Sequence, residues 1–99
     1  MVPLNSLVIT GNVQSIEDCE DKNKVIAEIK YRRDSRDLDG HVVVEEFDYH
    51  VEIDGRQADL FRTKAAKGTE IRVVGKLKKS GSGVLLVYAE HIEYGRSKS

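Results

Sequence analysis

Apolar and polar residues alternate with a period of two along most of this chain, the spacing of strands that bury one face. Leu7, Ile9 and Gly11 alternate with Val8, Thr10 and Asn12. This predicts a first strand over residues 7–13, apolar on both faces, with a glycine where a barrel strand can bend. A polar loop, Ser15 to Asn23, leads to a second strand from Val25 to Arg32, with Val25, Ala27, Ile29 and Tyr31 inward and Glu28, Lys30 and Arg32 outward. Asp34 to Gly40 is a charged connection that ends in Asp-Gly, a turn signal. Beyond it Val42 to Ile53 makes a long third strand, setting Phe47, Tyr49, Val51 and Ile53 against Asp48, His50, Glu52 and Asp54.

The alternation breaks once. From Arg56 to Lys67 the chain holds helix formers, with Ala58, Leu60, Phe61 and Ala65 in one apolar stripe and Gly68 where a helix C-terminus favours a left-handed residue. Period two then returns. Glu70 to Lys78 sets Ile71, Val73 and Leu77 against Arg72, Lys76 and Lys78, Ser80-Gly81-Ser82-Gly83 is a flexible hairpin turn, and Val84 to Tyr94 is the last strand. The expected order is β-β-β-α-β-β, without internal repeats. That is an all-β order, the element order of the OB-fold, a five-stranded Greek-key barrel with one short helix between strands three and four, and order alone leaves other small barrels open.

Composition narrows what such a barrel does. Ninety-nine residues, 39% of them hydrophobic, suffice for one modest core, so one domain is expected over residues 1–95 with a short polar tail at 96–99. Sixteen basic against 17 acidic side chains leave a formal net charge of −1, and no global field draws in nucleic acid or an anionic membrane. Any phosphate site rests on local placement. The single cysteine, Cys19, excludes an internal disulfide and a cysteine zinc cluster and fits a reducing cytoplasm. Neither a signal peptide nor an apolar run near the ~20 residues of a membrane span is present, so a soluble chain that is not secreted is expected.

Five blocks give the barrel a more specific likeness. Leu4-Asn5-Ser6-Leu7-Val8-Ile9-Thr10-Gly11-Asn12-Val13, Asp54-Gly55-Arg56-Gln57-Ala58, Lys67-Gly68-Thr69, Val74-Gly75-Lys76-Leu77 and Ala89-Glu90-His91-Ile92-Glu93-Tyr94 together resemble the bacterial single-stranded-DNA-binding proteins. They follow that family's order and cover nearly the whole domain. The last block also resembles primosomal replication protein n, a relative of the same fold. The resemblance implies non-sequence-specific binding of unwound DNA in replication, repair or recombination, replication proteins as further partners, a cytoplasmic and nucleoid-associated location, and association into dimers or tetramers through strand one and neighbouring faces. Leu7, Val8, Val13 and Tyr49 are the expected subunit contacts.

Binding single strands ordinarily combines a basic groove with aromatic side chains on which bases stack. The family places aromatics on the outward face of strand three, at positions that are Asp48 and Asp54 here, and the chain has no tryptophan. What remains is a set of cations: Lys30, Arg32, Arg33 and Arg36 around the end of strand two, with Arg56, Arg72, Lys76, Lys78 and Lys79. They either line the open side of the barrel as a phosphate path or form a solvated surface. The apolar register of Tyr31, Tyr49 and Tyr88 favours core or subunit packing over stacking, and Tyr94 fits either role. This departure keeps open a second reading, an OB-fold interaction or assembly module like the primosomal accessory protein, with weak or no DNA binding.

No constellation points to catalysis. Ser35-Arg36-Asp37-Leu38-Asp39-Gly40 with Glu46 has most of a calcium-loop spacing, but serine leads it, arginine adds positive charge and the flanks are strands, so it reads as a hairpin turn. Glu17-Asp18-Cys19-Glu20-Asp21 reads as a solvated acidic loop. His41, His50 and His91 lack ligand spacing. No metal, cofactor or catalytic group is expected, and no enzyme.

Overall fold

The computed structural model describes residues 6–19 and 23–95. Leu4, Asn5, Glu20, Asp21 and the tail at 96–99 lie outside the described residues. The elements are β1 (Ser6–Asp18), β2 (Lys24–Arg36), β3 (Val42–Asp54), α1 (Gly55–Lys64), β4 (Glu70–Lys79) and β5 (Leu85–Tyr94). The expected order is the observed one. The strands close into a barrel in the order β1-β2-β3-β5-β4. Every junction is antiparallel except that between β3 and β5, which run parallel over only two pairs, Val51 with Val87 and Glu52 with Tyr88.

The core follows the period-two reading. Val25, Ala27 and Ile29 of β2, Val51 and Ile53 of β3, Ile71 and Val73 of β4, and Val87, Ala89 and Ile92 of β5 point inward, and α1 closes one end of the barrel with Ala58 and Phe61. Tyr94 joins them, its ring 6.3 Å from that of Phe61. Burial of such apolar side chains contributes roughly 1.5–3 kcal/mol each.

The strands are longer than alternation predicts. β1 runs on to Asp18 through residues read as polar loop, because its second half pairs with β2 while its first half pairs with β4. Asn12 is the crossover and partners both Lys30 and Glu70. A side chain at neighbouring Gly11 would meet Ile29 Cγ2 at 2.5 Å and the Lys30 carbonyl oxygen at 2.6 Å, so the strand changes partner where only glycine fits. β2 and β3 stay paired out to Arg36 and Val42, well past the barrel. This two-stranded arm absorbs Asp34, Ser35 and Arg36, which the sequence reading assigned to the connection.

The helix is shorter than expected. It ends at Lys64, and Ala65 turns extended (φ −98°, ψ 138°) so that its methyl joins the core. Gly68 is left-handed (φ 93°) but belongs to the following turn, where Ala66 donates to the Thr69 hydroxyl at 3.0 Å and Thr69 N–H donates to the Ala66 carbonyl at 3.0 Å. That turn is bonded onto β1: Gly68 N–H donates to Val13 O (2.8 Å) and Val13 N–H to Thr69 O (2.9 Å). Val13's backbone groups are thereby diverted from β2, and the pairing register shifts between Val13 and Ser15.

Candidate nucleic-acid interface

The outward face of β3 is where an OB barrel would offer a stacking surface, and alternation puts Glu46, Asp48, His50, Glu52 and Asp54 there. Across the β2 ladder they face Arg32, Lys30, Glu28, Ile26 and Lys24 respectively. Glu46 and Glu52 have lysine partners, whereas Asp48 makes no ion pair among the described residues. Lys30 Nζ lies 3.3 Å from Glu46, and His50 Nε2 lies 3.5 Å from Glu28. Glu52 sits between two ammonium groups, Lys24 at 3.4 Å and Lys78 at 2.7 Å, and is only 7% exposed on what is nominally the outer surface. Burial alone would push its carboxyl up; the hydrogen bond from Lys78 and the charge of Lys24 outweigh that and hold it below its ordinary value.

Asp54 occupies the N-cap position of α1 yet makes no capping bond. Both its oxygens are taken by the Tyr88 hydroxyl, which donates at 3.0 and 3.1 Å. This hydrogen bond, together with partial burial, raises the Tyr88 hydroxyl above its ordinary range. Tyr88 therefore faces outward, between inward Val87 and Ala89, and not into the core that its register allowed. The reason is a bulge: β4 and β5 slip between Val74 and Gly75, so that Val74 pairs with His91 but Gly75 with Ala89. Lys78 Nζ stands 5.4 Å from the Tyr88 ring centroid, and Tyr88, Lys76, Leu77 and Lys78 line a cleft of about 380 Å³.

Lys30 and Arg32 lie on β2 and Lys76, Lys78 and Lys79 on β4; across the side of the barrel that β3 and β5 form, two strands stand between them, about 14 Å at ordinary strand spacing. Four of the expected cations have carboxylate partners: Lys30 with Glu46, Arg32 with Asp34 at 3.2 Å, Arg72 with Glu93 at 3.6 Å, and Lys78 with Glu52. Arg36 donates to the Gly40 carbonyl at 2.9 Å. Among the described residues Arg33, Arg56, Lys76 and Lys79 make no ion pair and are exposed. Arg33 points to the other side of the arm, where it shares a cleft of about 420 Å³ with Val8, Thr10, Tyr31 and Phe47.

The expected subunit contacts separate in the same way. Val8 is 56% exposed and Leu7 half-buried, on the stretch of β1 that has β4 along one edge and, before Asn12, no described strand along the other. Val13 is fully buried in the core and presents no surface to a partner. Tyr49 is half-buried and has contacts within its own chain. Its hydroxyl donates to Thr10 O at 3.4 Å, its ring lies 6.3 Å from that of Phe47, and burial pushes the hydroxyl well above its ordinary range. Phe47 keeps the face of Tyr49, Val51 and Ile53 but is 42% exposed, its ring 4.8 Å from that of Tyr31. The length of the third strand was the signal that its start leaves the barrel.

The hairpin tip behaves as a turn. Asp37 Oδ1 accepts from the Asp39 and His41 amides at 3.0 and 2.9 Å, while Glu46 pairs across the arm with Arg32, remote from the turn. Asp37, Asp39 and His41 cluster there, all exposed. Asp18 is held by Arg62 at 2.8 Å. Among the described residues no helix is long and apolar enough to cross a membrane.

No protein-family model and no curated protein matches the chain. Solved structures do. A deletion mutant of the single-stranded DNA-binding protein from Thermus aquaticus superposes with a TM-score of 0.75 at 21% identity, covering 96% of this chain and 52% of that one, so this chain spans about half its length. The Plasmodium falciparum single-stranded-DNA-binding protein in complex with single-stranded DNA gives 0.74 at 12% identity over 97% and 98%. PriB from Ralstonia solanacearum gives 0.66 at 16% identity over 95% and 100%. A closed five-stranded barrel with its helix between β3 and β4, matched along at least 95% of this chain by the single-stranded-DNA-binding proteins and PriB above, is the OB-fold.

Proposed function

We propose that this chain is a homo-oligomeric, non-sequence-specific binder of single-stranded DNA that acts on unwound strands in replication, repair or recombination, in the cytoplasm and at the nucleoid. The observation that carries the reading is the end-to-end match to a barrel solved with single-stranded DNA on it. Arg33, Arg56, Lys76 and Lys79, without an ion pair among the described residues, supply positive charge for phosphates, and the edge of β1 beside Leu7 and Val8, which no described strand covers, supplies a place for a second copy to add its own strand. Replication proteins are the partners such a role implies. The whole domain, residues 1–95, is the binding unit, and binding rather than catalysis is its task.

A second reading, an assembly module with weak or no DNA binding, is favoured by one feature: Asp48, Glu52 and Asp54 stand where a stacking platform would be. Fluorescence anisotropy with a labelled oligo-dT of ~30 nucleotides separates the two. Saturable binding that weakens steeply with salt supports the DNA reading. A stable oligomer that binds no DNA at low salt supports the module.

A further inference from the structure

We infer that the base-stacking position of this barrel has moved from β3 to β5 and is Tyr88, with Lys76 and Lys79 receiving the adjoining phosphates; this rests on the single-stranded-DNA reading above. Of the chain's four tyrosines and two phenylalanines, Tyr31, Phe47 and Tyr49 have their rings occupied with one another, on the face of the arm and its root opposite Arg32. Phe61 is in the core and Tyr94 packs against it. Tyr88 alone stands on the outward face of the strands, directly beside Glu52 of β3 and Lys76 of β4 in register.

Its ring is held ready. The hydroxyl is fixed by both Asp54 oxygens and the ring by the Lys78 ammonium, itself anchored on Glu52. A side chain already immobilised loses little further entropy when a base stacks on it. The charge around it also suits a phosphodiester. Lys24, Lys76 and Lys78 against Glu52 and Asp54 leave one net positive charge, and Lys76 and Lys79 have no carboxylate partner among the described residues. The cleft that Tyr88 shares with Lys76, Leu77 and Lys78, about 380 Å³, gives a nucleobase room. The carboxylates of β3 therefore act on DNA indirectly, as the groups that orient the ring and its lysine.

Because the chain has no tryptophan, Tyr88→Trp places a lone indole reporter at the position. Its fluorescence is expected to quench as unlabelled oligo-dT is added, and oligo-dT anisotropy is expected to show Tyr88→Ala binding between about 5-fold and about 150-fold more weakly than the unaltered chain, the range for one stacked base. Tyr88→Phe, which keeps the ring but loses the bond to Asp54 that orients it, is expected to bind more weakly than the unaltered chain and more tightly than Tyr88→Ala, and thermal melts confirm which variants are folded. An unquenched indole, or folded Tyr88→Ala that binds normally, overturns the assignment of Tyr88 alone. Tyr88→Phe as weak as Tyr88→Ala overturns stacking as the ring's role. If the unaltered chain binds no oligo-dT at low salt, the single-strand reading falls, and this inference with it.

Discussion

Glu52 shows how a residue on the solvent side of a strand becomes structural. Two lysines from different strands close over it, and its carboxyl is held below the ordinary value of 4.5. Folding thus favours the charged form, so its contribution to stability is complete above that ordinary value and is lost as pH falls through the lower folded one. Glu52→Gln should cost roughly 1–2 kcal/mol at neutral pH, less than a fully buried pair would, because both ammonium groups remain a third or more exposed. Thermal melts from neutral pH into acid should show the two curves converging as the native carboxyl protonates; parallel curves would show that the pair contributes nothing. Gly75 is a second such position. A methyl there runs into the Tyr88 carbonyl at the bulge, and Gly75→Ala should lower stability by roughly 3 kcal/mol in a denaturant titration. The outward carboxylates of β3 could be read from alternation, since the strand keeps its period throughout. The enclosure of Glu52 and the outward turn of Tyr88 could not, because one depends on lysines brought in from β2 and β4 and the other on a bulge that leaves no mark in composition.

The elements that matter most for binding are those that leave the barrel. The arm carries Arg32 and Arg33 on opposite sides, one paired with Asp34 and the other without an ion-pair partner among the described residues. Replacing both by glutamate should weaken oligo-dT binding at least tenfold if the arm contacts DNA; unchanged affinity in anisotropy would remove the arm from the site. The first half of β1 carries the other prediction. Val8→Lys puts an ammonium on its exposed face beside the edge that no described strand covers and should shift the chain toward monomer in sedimentation velocity, with the melting temperature of the barrel little changed. Strand and helix identity were legible because each element keeps one period. Their ends were not, since β1, β2 and α1 stop where partners stop: at the β1 crossover, at the arm's tip, and where Ala65 turns into the core.

At the scale of the molecule, opposite charges nearly cancel, and the few cations left over set the strength of any nucleic-acid contact. If Arg33, Arg56, Lys76 and Lys79 are the phosphate contacts, the logarithm of the binding constant should fall with the logarithm of salt at a slope of about −3, four contacts at ~0.7 each. A much steeper slope would mean that paired lysines are released from their carboxylates on binding. The barrel itself was legible from its blocks and element order. The division of its cations into two groups was not, because strand order around a closed sheet places β5, not β4, beside β3.

The short parallel junction between β3 and β5 has a consequence for how this protein is handled. Without those two residue pairs the remaining ladders form one continuous antiparallel sheet, β3-β2-β1-β4-β5, whose two outermost strands carry Val42-Val43-Val44 and Leu85-Leu86-Val87. Unpaired apolar strands of that kind recruit further chains. Mild destabilisation at Val51 or Val87 will therefore show itself first as precipitation from concentrated solution, before any loss of secondary structure.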